Sequence, residues 1–82
     1  MQAGDIQRLI EEALPGCEVI VRGDDGVHFE AVVISDAFES ETPVQQHRRV
    51  YKALGGRMES EEIHALALRT YTPDGWRKLS NR

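Results

Sequence analysis

Apolar residues recur along the chain with the spacings of helices and strands, and the first of these patterns predicts an N-terminal helix. Its apolar residues follow the order i, i+3, i+4, i+7 and i+8, which places them on one helix face: Ile6, Leu9, Ile10, Ala13 and Leu14. Asp5 is a suitable N-cap, because its carboxylate can accept hydrogen bonds from the free N–H groups of the first turn. Pro15 and Gly16 end the helix.

The next pattern predicts a β-hairpin. Residues 17–22 and 27–35 read as strands, and in each the apolar side chains alternate onto one face: Val19 and Val21 in the first, and Phe29, Ala31 and Val33 in the second. Between the strands, Gly23-Asp24-Asp25-Gly26 has the composition of a tight turn. Two strands joined by such a turn are expected to pair antiparallel.

A second helix follows an irregular stretch, residues 36–41, which Phe38 is expected to anchor. Thr42 is the cap, Pro43 the first helical residue and Gln45 the return half of a capping box. Gly55-Gly56 ends this helix, and its inward face is predicted to hold Val44, His47, Tyr51 and Leu54.

The last third of the chain predicts a strand and a final helix. Residues 57–62 are charged and could add one short helical turn. Residues 63–70 are mostly apolar, carry no Gly or Pro, and form the third strand, with His64 as its second residue. Thr72 then caps the last helix, which starts at Pro73.

This order, α-β-β-α-(α)-β-α, indicates an α+β domain with helices packed on a three-stranded mixed sheet. About 27 residues separate strands 2 and 3, a length that suits a crossover between parallel strands. Parallel neighbours start at the same edge, so His28 and His64 are expected to project near one another. The predicted core comprises Leu9, Val19, Phe29, Val33, Tyr51, Leu54, Leu66 and Leu68.

Composition narrows the function. The 82 residues predict a single domain, residues 1–82, with 40% hydrophobic and 29% charged residues, an ordinary globular mix. The net charge of −4 does not favour nucleic acid or an anionic membrane, and no apolar run approaches a membrane span. A single cysteine and the absence of a signal-peptide pattern predict a reducing, cytoplasmic location. No nucleophile–base arrangement stands out in the sequence and no phosphate loop appears, so nothing in it indicates an enzyme.

Three segments carry a resemblance to a known family: HFEAVVISDAF (28–38), PVQQHRRVYKAL (43–54) and IHALALRTYTPDGW (63–76). The last is the most specific, with a His after an aliphatic residue at a strand start, then Thr-Pro and a Trp. On these residues the chain resembles the BolA-like family, and its short turn between strands 1 and 2 is more similar to the IbaG branch. The resemblance implies a class II KH-like fold over nearly the whole chain.

The resemblance also implies a function. Members partner monothiol glutaredoxins and share a [2Fe–2S] cluster with them, with the strand-3 His as a ligand; that position is His64 here. The glutaredoxin cysteine and glutathione would hold one iron, with His64 and His28 at the other. This chain alone has too few ligands for a closed site, so we expect it to be apo, and a monomer or weak dimer, when isolated.

The chain departs from the family pattern at the second ligand. Many members carry that Cys or His in a longer loop between strands 1 and 2, whereas this turn is only Gly23–Gly26. Cys17 precedes strand 1 and does not match, so it is expected to be a small apolar residue or an idle thiol. His28 is the nearest candidate by geometry, with a semi-exposed strand residue as the alternative. His47 is predicted to be structural.

A different class of function stays open, because some members of the family are described as DNA-binding regulators. Its support here is the KH-like fold and the basic residues of helix 2 and the C-terminus: Arg48, Arg49, Lys52, Arg77, Lys78 and Arg82. Phe38-Glu39-Ser40-Glu41 stands where the family often shows Phe-x-Gly-Lys, and its acidic residues argue against a phosphate-facing surface. The turn at Gly23–Gly26 spells G-x-x-G, but its carboxylates would repel phosphates. Weak nucleic-acid binding is the most we expect.

Overall fold

A computed structural model describes residues 1–58, 63 and 65–81. The elements are three α-helices, three strands and two short 3₁₀ turns, at Asp36–Phe38 and Gly55–Arg57: α1 (Ala3–Ala13), β1 (Glu18–Arg22), β2 (His28–Ile34), α2 (Pro43–Leu54), β3 (Ala65–Tyr71) and α3 (Pro73–Ser80). The predicted helical turn over residues 57–62 falls largely outside the described residues. Among those residues, no helix is long and apolar enough to cross a membrane.

The sheet has the predicted mixed topology, with strand order β1-β2-β3. β1 pairs antiparallel with β2, with Glu18 opposite Ile34 and Arg22 opposite Glu30. β2 pairs parallel with β3, with His28 opposite Ala65. The parallel pairing brings the starts of β2 and β3 to the same end of the sheet, as the length of the connection between them indicated.

Helices α1 and α2 supply the buried side chains that cover one face of this sheet. The fully or nearly fully buried cluster holds Ile6, Ile10 and Leu14 of α1, Val50 and Leu54 of α2, and Val19, Phe29, Val33, Phe38 and Ile63. Helix α3 lies at the other face, where Trp76 lines a hollow together with Ile20 and Val32. Its ring also stacks at a tilt on Tyr71, with centroids 5.3 Å apart.

The predicted inward face of α2 is correct at Leu54, which is buried, and wrong at Val44 and Tyr51. Val44 is 60% exposed and Tyr51 38% exposed, whereas Val50 is fully buried. The physical reason is Gln46, a polar residue on the inward side of the helix. Its amide donates to the carbonyl oxygens of Phe38 and Glu41, 3.1 and 3.0 Å away, and accepts from the Thr70 hydroxyl at 2.7 Å. These bonds rotate α2 so that Val50 faces the core.

The rest of the predicted core is confirmed in part. Val19, Phe29, Val33 and Leu54 are buried. Leu9, Leu66 and Leu68 are only half-buried, although they pack against the core cluster. Both leucines of β3 lie on an edge strand of the sheet.

The helix caps follow the sequence signals except at α1. Thr42 Oγ1 accepts from Gln45 N and Gln45 Oε1 accepts from Thr42 N, which completes the predicted capping box. Thr72 Oγ1 likewise accepts from Gly75 N at 3.0 Å. Helix α1 starts earlier than predicted, with Gln2 at the N-cap; Asp5 lies inside the first turn and accepts from Gln2 N at 2.9 Å.

Candidate metal centre at the start of the sheet

The turn between β1 and β2 is shaped by Asp25. One carboxylate oxygen, Oδ1, accepts from the backbone N–H groups of Val27 and His28, at 2.9 and 2.8 Å. Gly26 has a φ of +76°, a conformation that favours glycine. At Gly23 a Cβ would come within 2.5 Å of a Phe29 ring carbon and 2.7 Å of the His28 carbonyl oxygen. The sequence of the turn therefore fixes the path of the chain into His28.

The same carboxylate holds the imidazole of His28. Asp25 Oδ2 lies 2.8 Å from His28 Nδ1, and the His28 side chain is 67% exposed. The backbone N–H of His28, its imidazole and the N–H of Val27 together hold the pKa of the Asp25 carboxyl well below its usual range. Asp25 is thus an ionised acceptor that two backbone N–H groups of the turn orient toward the His28 ring.

The neighbouring strand starts beside His28. Ala65 N donates to Val27 O at 3.1 Å, and the buried Ile63 donates through its N–H to Arg57 O at 3.2 Å. His64 stands between these two residues in the sequence but lies outside the described residues, so its predicted position beside His28 stays a prediction. His28 shares the face of Ala65, whereas Phe29 pairs with Leu66 on the core face.

An open hollow adjoins this turn. Among the described residues, Asp25, His28, Ala65 and Ala67 line it, together with Arg22 and Glu30. On the β3 side, the lining residues are Ala65 and Ala67, whose side chains are small. The His28 ring is exposed to solvent beside this hollow.

The donor chemistry at His28 fits one ligand position of a metal centre. Imidazole is a suitable ligand for iron, and a ligating His usually donates its other ring N–H to a carboxylate, which is the arrangement seen with Asp25. Within the described part of the chain, no group of three or more His, Cys, Asp or Glu residues could hold a metal ion together. The described residues at the start of β2 thus offer a single imidazole, that of His28, as a metal ligand.

Cys17 and His47 lie away from this edge. Cys17 precedes Glu18, which pairs with Ile34 at the end of β2, so Cys17 lies at the opposite end of the sheet from His28. Burial, with a smaller contribution from Glu11, raises the pKa of its thiol, which disfavours the thiolate that metals bind. His47 lies half-buried on α2 and meets Tyr51 edge to face, with centroids 6.5 Å apart. The non-ligand roles expected of these residues stay predictions.

Sequence reasoning missed the part that Asp25 plays. It treated Asp25 as one of two turn carboxylates, although the signal was present in the spacing Asp-x-x-His. An Asp often accepts from backbone N–H groups two or three residues further on, and such a bond brings its second oxygen near the side chain of that residue.

Several basic side chains proposed for nucleic-acid contact are paired with carboxylates. Arg49 Nε lies 2.7 and 2.8 Å from the two carboxylate oxygens of Glu41, and this pairing raises the pKa of Arg49. Arg77 and Lys78 lie 2.6 and 3.1 Å from Asp74 and lower the pKa of its carboxyl. These neighbouring carboxylates offset the positive charge that phosphate groups would need.

Fold and site together define a small α+β domain of three helices and a mixed three-stranded sheet, with a histidine exposed at the start of the central strand. The family model for BolA-like protein matches residues 7–75. The chain therefore belongs to the BolA-like family, and the class II KH-like order expected from the resemblance is the observed one.

Three relatives place the chain within this family. A solved structure of a BolA protein homologue from Coxiella burnetii has a TM-score of 0.81 and 49% identity, and the match covers 94% of this chain and 97% of that one. The acid stress protein IbaG of Escherichia coli K12 is 34% identical over 98% of both chains. The DNA-binding transcriptional regulator BolA of Escherichia coli K12 is 41% identical, but over 66% of this chain and 50% of its own length.

Proposed function

We propose that this chain is a non-enzymatic adaptor that binds a monothiol glutaredoxin and contributes histidine ligands to a [2Fe–2S] cluster shared with it. Its role would lie in iron–sulfur cluster trafficking or iron homeostasis in the cytoplasm. His64 and His28 would hold one iron, and the glutaredoxin cysteine and glutathione the other. Alone, the chain would be apo and a monomer or weak dimer.

The observation that carries the proposal is the His28 imidazole, held at the start of β2 by an ionised carboxylate and exposed beside β3. Family membership supports it, since the resemblance assigns a ligand role to the position of His64. Histidine in place of cysteine raises the reduction potential of a [2Fe–2S] centre. Binding of this chain would thus change the potential of a cluster that a glutaredoxin pair holds with thiolates.

A nucleic-acid-binding regulator is the second candidate function. It is favoured by the name of one relative, the DNA-binding transcriptional regulator BolA, which this chain matches over only half of that protein's length. The match to the stress protein IbaG spans nearly the whole of both chains. The carboxylates that pair with Arg49, Arg77 and Lys78 also weigh against a phosphate-binding surface.

The test is to mix the apo chain with a cluster-loaded monothiol glutaredoxin and record visible absorption and circular dichroism. The wild-type chain should give a spectrum distinct from that of the glutaredoxin alone. His64→Ala should abolish this spectrum, and His28→Ala should weaken it, because glutathione or water can replace the second ligand. The spectrum should also fade in acid, since the neutral imidazole is the ligand.

Matched controls separate ligation from folding. His47→Gln and Cys17→Ser should leave the mixed spectrum unchanged, because neither side chain lies at the start of β2. Far-ultraviolet circular dichroism and thermal unfolding of each apo variant verify the fold. A normal mixed spectrum with His64→Ala would refute the ligand assignment, and an unfolded His64→Ala protein would make His64 a structural residue.

A further inference from the structure

In the hairpin turn, the Asp25 carboxylate lies within hydrogen-bond distance of two backbone N–H groups and of the His28 ring. Asp25 Oδ1 accepts from the N–H groups of Val27 and His28, at 2.9 and 2.8 Å, while Oδ2 lies 2.8 Å from His28 Nδ1. The two backbone bonds orient the carboxylate independently of the ring. The position of Oδ2 is therefore set by the turn and not by the exposed side chain that it meets.

A carboxylate can only accept hydrogen bonds, so the ring nitrogen facing Oδ2 has to carry a proton. In the neutral ring this proton leaves the lone pair on Nε2. An unconstrained histidine side chain in water prefers the opposite tautomer, with the proton on Nε2. Asp25 therefore works against the intrinsic preference of the ring.

We propose that Asp25 is a positioning residue that holds His28 as the Nδ1–H tautomer, so that Nε2 is the atom this turn presents to a metal. Only the statement that Nε2 faces a metal rests on the proposed function. The tautomer is a property of the apo chain, and carboxylate–histidine pairs of this kind orient metal-binding imidazoles in general.

The turn gives a sharp variant, Asp25→Asn. The side-chain oxygen of Asn can keep both bonds from Val27 and His28, which preserves the turn. The amide nitrogen then stands where Oδ2 was and donates to Nδ1, so the ring proton moves to Nε2. Asp24→Asn is the matched control, because it removes the same charge from the adjacent residue of the same turn.

The experiment is a long-range ¹H–¹⁵N correlation spectrum of the apo, ¹⁵N-labelled full chain, at an alkaline pH where titration shows every imidazole to be neutral. His28→Gln assigns the His28 signals among those of the chain's 3 histidines. Wild type and Asp24→Asn should show a protonated Nδ1 and an unprotonated Nε2. In Asp25→Asn, the His28 ring should instead show a protonated Nε2 and an unprotonated Nδ1. A proton on Nε2 in the wild type, or an unchanged spectrum in Asp25→Asn, would overturn the proposal.

A second measurement tests the consequence at the metal. With the glutaredoxin complex, Asp25→Asn should lower the affinity for the shared cluster about 10- to 100-fold relative to Asp24→Asn, as loss of such a partner does elsewhere. Equal affinities of the two variants would refute the positioning role. If the wild-type chain forms no mixed cluster, the proposed function fails, and the apo spectra alone decide the tautomer. If Asp25→Asn does not fold, the wild-type spectrum still decides it.

Discussion

At the scale of single residues, Ser40 carries a conformational cost. Among the described residues it is the non-glycine residue with a positive φ, +66°. This left-handed conformation is unfavourable for a side chain with a Cβ and costs on the order of 1 kcal/mol or more. In the Phe-x-Gly-Lys pattern of the BolA-like family, the position of Ser40 is glycine. Glycine is the residue that this backbone conformation favours.

We therefore predict that Ser40→Gly stabilises the protein. Relief of the strain stabilises the folded state by more than the extra conformational freedom of glycine stabilises the unfolded chain. The free energy of unfolding should therefore rise by about 0.5–1 kcal/mol. Urea denaturation followed by circular dichroism measures the change. Ser40→Ala keeps the Cβ and should bring no gain. A Gly variant no more stable than the Ala variant would contradict the strain at this position.

The candidate site shows how far single residues could be predicted from the sequence. His28 was identified from its place at the start of a strand, because strand topology depends on patterns that the sequence contains. Asp25 was missed because its role depends on where the second carboxylate oxygen points once the turn has formed. That direction follows from the bonds to Val27 and His28, which composition alone does not reveal.

At the scale of the elements, α2 shows where periodicity fails. Counting apolar residues favours a face with Val44, Tyr51 and Leu54, but Val44 and Tyr51 are exposed. The buried residues Val50 and Leu54 follow Gln46 at i+4 and i+8, so the three share one stripe of the helix. This stripe faces the core because Gln46 is satisfied by carbonyl groups of the preceding segment and by Thr70. A polar anchor on the inward face is invisible to a hydrophobic pattern.

We predict that Gln46→Met destabilises the fold by about 1–2 kcal/mol, because the partly buried Glu41 carbonyl loses its donor and the Thr70 hydroxyl its acceptor. The Phe38 carbonyl keeps a bond from Glu41 N, which limits the cost. Thermal and urea unfolding measure the effect. Thr70→Val removes only one of these bonds and should cost less. If Gln46→Met is as stable as the wild type, the anchor does not set the face of α2.

At the scale of the whole molecule, the topology was the most predictable property. Strand order and the parallel pairing of β2 with β3 follow from the tight turn after β1 and the long helical connection after β2, both visible in the sequence. The extent of burial was less predictable. β1 and β3 are both edge strands, yet Val19 of β1 is buried whereas Leu66 and Leu68 of β3 are only half-buried.

Charge distribution is the whole-molecule property that bears on the choice between functions. The chain has 14 acidic and 10 basic residues, and its net charge is −4. The pairs formed by Arg49, Arg77 and Lys78 further reduce the positive potential on the surfaces considered for nucleic acid. Because such binding depends on the release of counterions from phosphates, few phosphate contacts mean weak binding with a shallow salt dependence.

We predict that duplex DNA binds this chain only in the non-specific range, with a Kd of about 10⁻⁴ to 10⁻⁶ M or weaker at physiological salt. Fluorescence anisotropy with a labelled duplex, repeated at several salt concentrations, measures both the Kd and the salt slope. Glu41→Gln frees Arg49 from its ion pair and removes one negative charge, whereas Glu39→Gln removes the same charge without touching that pair.

The two variants distinguish a specific surface from bulk charge. If α2 contacts phosphates at all, Glu41→Gln should bind DNA more tightly than Glu39→Gln, since only the first frees a guanidinium. Equal, small gains in both would mean that net charge alone is responsible. Sequence-specific binding by the wild type at nanomolar Kd in about 150 mM salt would reverse the ranking of the two functions, because neither the charge nor the paired basic residues could account for it.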